Sequence, residues 1–572
     1  MGKLRDRYSG RVEVEEVLLD SSNILALNQG RLEGKRELPI KKSGVRTVGI
    51  IFSCIALVFF YHIFTLQVVK GDEYQAISEN NRISKAVIIA ERGVVYDRNG
   101  EMLAWNETDK TGEYDFPIRA YTDRLGLGQV LGYVSYPKKD DKGYFFRTDY
   151  LGRTGVELTY DDVLKGENGS KVVEVDALGH SVSEYEINLP KNGKELHLSI
   201  DAGLSEAMYQ IIASSSAKAH FRSGAAAIMD VKTGELLALT SFPSYDPEIM
   251  ADGDDVKKID EYNNDDRLPF LNKVVAGAYT PGSIVKPFVA YKALEEGIIS
   301  PNKVIVSNGY ILVPNPYDPA HPGRFNDWRA HGAMTMREAI AFSSNVYFYT
   351  IGGGFGDQPG LGIKRLSENY RRFGLGSKTG ITLGQEQEGV VPDPEWKKKV
   401  FDDDWRLGDT YFTSIGQFGF LATPIQMLRA YASIANGGTL LTPHVEKGPA
   451  QNPVDLNLNQ EDLQVVHEGM RKTVILPGGT ARGLERSDVA VASKSGTAEI
   501  GVGNAYVNSW SAGYWPYEEP RFAFILMMDH APHSNSLGAG RIMGEVMQWI
   551  SVNRPEYFKA ESKLETKAET TQ

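Results

Sequence analysis

Apolar and polar positions follow several rhythms along this chain, and each rhythm predicts a different element. Thr47 to Val69, TVGIIFSCIALVFFYHIFTLQVV, contains no Asp, Glu, Lys or Arg. As a helix it reaches ~35 Å, enough to cross a hydrocarbon core with some tilt. From Lys70 to about Pro190 the rhythm shortens. RGVVYDRNGEMLAWN alternates apolar and polar residues around Asn99-Gly100, which predicts a hairpin. GRTGVELTYDDVLKGENGSKVVEVDALG, with glycines at its corners, is expected to form further short strands and turns. KELHLSIDAGLSEAMYQIIASSSAKA leads from a short strand into Asp201. A helix pattern follows, with Leu204, Met208, Ile211 and Ile212 at its apolar positions. SGAAAIMDVKTGELLALTSFPSYDP then sets two apolar runs around a polar turn, a second hairpin. Up to about Pro555 the chain continues as a helical, loop-rich middle, then strands and a last helix. That order predicts an α+β fold rather than a regular parallel sheet.

Charge settles how the apolar run is read. Arg31 to Arg46 carries six Lys or Arg and two Glu, which places the N-terminus in the cytoplasm and everything after Lys70 outside. The run and the tail before it are longer than a cleaved signal peptide requires. The expected organisation is a cytoplasmic tail 1–46, a transmembrane helix 47–69, a β-rich region 70–195, a mixed domain 196–555 and a polar, disordered tail 556–572. A length of 572 residues fits several domains. The net charge of −12, with no long basic stripe, argues against nucleic acid as the main partner. Cys54, the sole cysteine, lies in the apolar run, so neither an intramolecular disulfide nor a Cys-rich metal site is available. His321 and His331 match no zinc spacing, and no metal is expected.

Candidate chemistry comes from three short patterns, each of which recurs. Lys-Ser/Thr-Gly begins at Lys42, Lys110, Lys232, Lys378 and Lys494. Lys42 precedes the apolar run, Lys110 lies in the polar spacer, Lys232 sits in a hairpin turn, and Lys378 follows a helix end. Lys494 differs: it follows an apolar run, Val489 to Ala492, with Thr497 to Ile500, a glycine-bearing turn and another strand pattern, NAYVNSWSAGYWP, after it. It is expected on a strand of a late hairpin, where Gly496 would let a substrate backbone approach closely. Ser-x-x-Lys places a hydroxyl and an amine on one helical face, and a lysine that loses its charge can take the serine proton. Ser135, Ser215, Ser283 and Ser300 each begin one. Pro137 and Pro301 break two of these, and Ser215 lies at the polar end of a helix. Ser283-Ile284-Val285-Lys286 follows Pro281-Gly282 and opens a helix pattern, so Ser283 would stand where backbone N–H groups favour developing negative charge. Ser-x-Asn begins at Ser21, Ser78, Ser343, Ser367 and Ser551. Only Ser343-Ser344-Asn345 lies between two apolar helix patterns.

The ordered set PGSIVKP, SSN and KSGTA resembles that of the penicillin-binding proteins and serine β-lactamases. ERGVVYDRNGEMLA and GRTGVELTYDDVLKG resemble the pedestal of class B penicillin-binding proteins. LGDTYFTSIGQFGFLATPIQMLRAYASIANGG resembles the stretch before their last motif. The chain departs from the family pattern in Lys-Ser-Gly for Lys-Thr-Gly, Ser-Ser-Asn for Ser-Asp-Asn, and GQFGF for Gly-Gln-Gly. The resemblance implies an anchored, extended, β-rich pedestal domain followed by a transpeptidase domain with an antiparallel sheet and helices. It implies D,D-transpeptidation in peptidoglycan without a cofactor. Ser283 would be the nucleophile and Lys286 its base, with Ser343 and Lys494 relaying a proton. Asn345 would bind the donor peptide, and Ser495, Gly496 and Thr497 would line the terminal-carboxylate site. β-Lactams would acylate Ser283. The implied partners are stem pentapeptides, a SEDS-family glycan polymerase in the plasma membrane and other cell-wall elongation or division proteins. NDWRAHGAMTMREAIAFSSNVYFY resembles the elongation type more than the division type. A penicillin sensor, an inactive scaffold or a β-lactamase-like hydrolase are the competing readings.

Overall fold

A computed structural model describes residues 41–75, 83–110, 112, 114–141, 145–175, 181–315 and 318–559. Residues 1–40 of the expected cytoplasmic tail and 560–572 of the expected disordered tail lie outside the described residues. The chain divides into two compact units, residues 1–84 with 173–184, and residues 85–172 with 185–572.

In the first unit the helix Lys42–Phe64 continues into a π-helical turn, Thr65–Val69. Among the described residues, Lys42–Val69 is the one helix long and apolar enough to cross a membrane. It begins before the expected Thr47, because Lys42 to Arg46 contains no proline and the Thr47 hydroxyl donates to Ser43 O (2.9 Å).

The second unit contains both β-rich and mixed regions. Val95–Tyr96 pairs antiparallel with Met102–Glu107 around a turn in which Gly100 takes φ +86°, the expected hairpin. Ile118–Tyr121 and Leu196–His197 complete a four-stranded sheet. Leu196–His197 pairs in parallel with Val95–Tyr96, and Ser199 N–H then donates to Val445 O. The boundary drawn at 195/196 therefore falls within continuous hydrogen bonding. GRTGVELTYDDVLKG departs from its expected strands and turns: Gly155–Thr159 and Asp161–Leu164 are short helices. The reason is an ion cluster that local alternation cannot reveal. Glu157 Oε2 accepts from Arg92 Nε (2.5 Å) and Oε1 from Arg119 Nε (2.8 Å), all three side chains being buried.

A five-stranded antiparallel sheet forms the centre of the mixed region. Its order is Leu236–Phe242, Ser223–Asp230, Phe522–Pro532, Tyr506–Trp515, Ala492–Ile500. Its central strands are apolar on both faces. Ala225, Ala227, Ile525 and Met527 pack into one core with Phe288, Met427 and Tyr431. Their alternate neighbours Ala226, Ile228, Phe524 and Leu526 pack with Met208, Ile212, Met543 and Val546. Period-two side-chain direction thus fills two layers from one strand. Ala202–Ala219 and Ala539–Asn553 cover the second face. Asp201 caps the first of these, accepting from Leu204 N–H (2.9 Å), and also accepts from the Tyr557 hydroxyl (2.8 Å). The buried Tyr557, within the 3-10 turn Pro555–Phe558, extends ordered structure past the expected tail boundary at 556.

Candidate active site

Three chain segments converge at the site, one of them the edge strand Ala492–Ile500. The first is a 3-10 turn, Gly282–Val285, that runs directly into the helix Lys286–Glu295. Ser283 is half-buried in that turn, whereas Ile284, Val285 and Lys286 are buried. Gly282 (φ +58°) is wedged between segments: a Cβ there would stand 2.9 Å from Thr497 O. Gly282 N–H donates to Gly416 O (3.0 Å), and a Cβ on Gly416 would stand 2.2 Å from Gly282 O. The GQFGF loop therefore backs the Ser283 turn. Its Phe418 takes φ +63°, a left-handed conformation that is uncommon outside glycine. Tyr431 OH donates to Ile284 O (2.7 Å) and Trp510 Nε1 to Thr280 O (3.0 Å), fixing the turn further.

The second segment is the junction between Met336–Phe342 and Asn345–Gly353. Ser343 ends the first helix at φ +57°, and Ser344 caps the second, accepting from Tyr347 N–H (3.3 Å). The left-handed Ser343 presents its carbonyl and its hydroxyl to the same neighbour. Lys286 Nζ donates to Ser343 O (2.7 Å), Ser343 Oγ (3.3 Å) and Asn345 Oδ1 (2.7 Å). A strained residue held by surrounding bonds is a common feature of functional sites.

The third segment is Ala492–Ile500 itself, paired antiparallel with Tyr506–Trp515 as the late hairpin expected for Lys494. Lys494 Nζ donates to Ser343 Oγ (2.8 Å), 151 residues away in sequence, and to Ser495 O (2.7 Å). Ser495 and the exposed Thr497 share the opposite face of the strand. Ser495 Oγ donates to Thr480 Oγ1 (2.6 Å). Gly496 is also closely packed. Its missing Cβ would stand 2.9 Å from Ile284 Cγ2 and 3.1 Å from Pro281 O, so its small size admits the Ser283 turn.

Lys286 and Lys494 are both fully buried. Burial pulls Lys286 down to about 7, against the pull of the Asp327 carboxylate in the other direction. Burial, with the Lys286 charge beside it, holds Lys494 well below the ordinary lysine range. Amines so placed can accept protons near neutral pH. Sequence reading missed Thr480, Ser344 and Asp327. Only Ser344 carried a usable signal, as a serine immediately before a helix pattern. Among the described residues no cluster of three or more His, Cys, Asp or Glu could hold a metal.

Comparison with known proteins bears on the family. The family model described as "Penicillin binding protein transpeptidase domain" matches residues 224–548, and "Penicillin-binding Protein dimerisation domain" matches residues 113–198. Peptidoglycan D,D-transpeptidase MrdA of Haemophilus influenzae is 27% identical, over 94% of this chain and 96% of the relative. MrdA of Escherichia coli K12 is 28% identical, over 89% and 93%. Among solved structures, the complex between PBP2 and MreC from Helicobacter pylori matches with a TM-score of 0.68 at 28% identity, covering 82% of this chain and 98% of that one. Pseudomonas aeruginosa PBP2 in complex with WCK 5153 matches with a TM-score of 0.68 at 28% identity, covering 84% and 99%. The transpeptidase model spans more than half of the sequence and encloses all three converging segments, so the chain belongs to the penicillin-binding protein transpeptidase family.

Proposed function

We propose that this protein is a membrane-anchored peptidoglycan D,D-transpeptidase of the elongation type, acting through a Ser283 acyl-enzyme. The observation that carries the proposal is the convergence of two buried lysines on one hydroxyl: Lys286 Nζ and Lys494 Nζ lie 3.3 and 2.8 Å from Ser343 Oγ. Ser283 Oγ attacks the carbonyl of the penultimate D-Ala, and its proton passes to neutral Lys286. Ser343 and Lys494 relay a proton to the amine of the departing D-Ala. An amine of a neighbouring stem peptide then attacks the ester, releasing Ser283 and forming the cross-link. Asn345 Oδ1 is bonded to Lys286, which turns its amide N–H group toward the donor peptide. Ser495, Gly496 and Thr497 line the terminal-carboxylate site, with Lys494 supplying positive charge. The backbone N–H groups of Ser283 and Thr497 form the oxyanion hole.

The anchor 47–69 places the N-terminus in the cytoplasm and the regions 70–195 and 196–555 outside the plasma membrane, by the positive-inside rule. A SEDS-family polymerase is the proposed partner at the anchor and pedestal. The complexes named for similar structures, PBP2 with MreC and a peptidoglycan synthase complex, support cell-wall partners of this kind.

The test is labelling of the full chain in detergent with a fluorescent penicillin, beside Ser283→Ala. A stable band that disappears in the variant, with cross-linking of a pentapeptide donor to an amine acceptor, supports the proposal. Labelling without cross-linking supports a sensor. Hydrolysis of the antibiotic supports a β-lactamase, and a folded protein that does neither is a scaffold.

A further inference from the structure

The proposed reaction leaves a buried carboxylate beside the site without a task. Asp327 follows the strand Gly323–Asn326, and its side chain is fully buried. Oδ1 accepts from the backbone N–H groups of Asn345 (2.9 Å) and Trp328 (3.0 Å). Oδ2 accepts from Val346 N–H (3.0 Å), Ser344 Oγ (2.6 Å) and Ser307 Oγ (3.1 Å). Asn345 and Val346 open the helix Asn345–Gly353, and their N–H groups have no partner within it. A capping carboxylate ordinarily comes from the residue before the helix. Here it comes from a separate loop.

The Ser343–Asn345 turn is thus gripped from two sides, by Lys286 and Lys494 on one and by Asp327 on the other. His331 Nε2 lies 3.5 Å from Asp327 Oδ1, and Arg329 Nε donates to His331 Nδ1 (3.3 Å). With Nδ1 accepting, the neutral ring carries its proton on Nε2, facing the carboxylate. Although burial alone would raise it, bonds from Ser344, Asn345 and Val346, with the His331 ring nearby, hold the Asp327 carboxyl well below the usual carboxylate range. Asp327 is therefore an anion throughout the working pH range. The charged groups that act on the Lys286 ammonium are Asp327 from the loop and Lys494 from the edge strand.

We propose that Asp327 is a positioning residue for acyl transfer: it clamps the Ser343–Asn345 turn onto the two lysines and fixes an anion on the far side of that turn. This rests on the reading of Lys286 as the base that takes the Ser283 proton. Removing the anion removes what favours the charged lysine, so Lys286 loses its proton at lower pH. The acid limb of the acylation rate then moves down, while the loosened turn lowers the plateau.

The experiment measures the second-order rate of Ser283 labelling by a fluorescent penicillin against pH, using the full chain in detergent. Asp327→Asn is expected to lower the plateau roughly 10- to 100-fold, as misplacement of reacting groups does, and to move the acid limb to lower pH. Asp327→Glu keeps the charge on a longer arm, and is expected to restore the limb without restoring the plateau. An Asp327→Asn limb that coincides with wild type, whatever the plateau, overturns the proposal. Should Asp327→Asn fail to fold, Ser307→Ala removes a single bond to the carboxylate. A several-fold slower rate supports the clamp, and an unchanged rate overturns it. Wild-type protein without Ser283-dependent labelling would instead overturn the functional reading on which the proposal rests.

Discussion

Replacing Lys286 by methionine separates what the buried amine does for the reaction from what it does to the fold. An unfolded lysine titrates at 10.5, whereas burial holds Lys286 at about 7. Between those values the unfolded chain binds a proton that the folded chain does not, so lysine at this position makes the fold less stable as pH falls. Each pH unit is worth about 1.4 kcal/mol, so at pH 8 the deprotonation costs about 3 kcal/mol. The neutral amine has two N–H groups, and its shorter bonds, to Ser343 O and Asn345 Oδ1, offset this by about 1 kcal/mol each. Methionine matches the lysine stem in length and flexibility, lacks the titration, and loses those bonds. Denaturant unfolding of both proteins over about pH 7 to 10 gives the difference in stability. It is expected to move in favour of Lys286→Met by up to about 1.4 kcal/mol for each unit that pH falls, and to level off below pH 7. The coupled amine of Lys494 bends that line, because removing the Lys286 charge lets Lys494 hold its proton more readily. Penicillin labelling of Ser283 should fall by three orders of magnitude or more, on the order of a lost general base combined with a disturbed relay. Parallel stability curves for the two proteins would refute the reasoning, because they would mean that the folded lysine keeps its proton.

Other substitutions probe the β-rich region and the supports of the site. Glu157→Gln breaks the charge pairing with Arg92 and Arg119 and should cost about 3–5 kcal/mol in denaturant unfolding. Since those arginines hold the Glu157 carboxyl low against the upward push of burial, that stability is present above the unfolded value of 4.5 and is lost as pH falls below it; the variant should lack this acid limb. Gly496→Ala places a Cβ 2.9 Å from Ile284 Cγ2 and should slow penicillin labelling by about 100-fold or more while circular dichroism is unchanged. Thr480→Val removes the 2.6 Å partner of Ser495 and should slow labelling about 5- to 10-fold at unchanged melting temperature, the worth of one neutral hydrogen bond. Phe418→Gly should be more stable than Phe418→Ala by about 1 kcal/mol, because both lose the ring contacts with Trp396 and Trp405 but only glycine relieves the φ of +63°.

The elements that sequence reading located are those whose signals are local. Asp201 precedes a helical rhythm and caps that helix, Asn99-Gly100 turns a hairpin, and Lys232 sits in the turn between two apolar strands. The helix junction around Ser343 was legible because apolar helix patterns flank it on both sides. Long-range signals were not legible. Asp327 bonds to backbone N–H groups and serine hydroxyls 17 to 20 residues away, and any sequence offers backbone N–H groups. The short helices at Gly155–Thr159 and Asp161–Leu164 form around Glu157, whose partners lie 65 and 38 residues away. Gly496 was legible as a close approach, but not as an approach by the chain's own Pro281–Ile284. Tyr557 looked like part of a polar tail because its partner, Asp201, stands 356 residues earlier.

These distant contacts explain how the fold keeps two amines dry beside one hydroxyl. A buried lysine with no fixed acceptor would rotate toward water or draw water in. Lys494 cannot do so, because it stands on a strand paired from Ala492 to Ile500 and its Nζ is bonded to Ser343 Oγ and Ser495 O. Lys286 is held by its helix, which the Ser283 turn joins to the wedge of Gly282 between Gly416 and Thr497. Ser343, the acceptor common to both amines, is a left-handed residue that would relax if either flanking helix shifted. Asp327 prevents that shift from the far side. Each piece is unfavourable alone: a buried amine, a strained serine, a buried carboxylate. Together each supplies the bond that another lacks, so removing any one exposes the unfavourable state of the rest. The substitutions at Lys286, Asp327 and Gly496 should therefore be strongly non-additive in labelling rate, with the double variants hardly slower than the slower single variant.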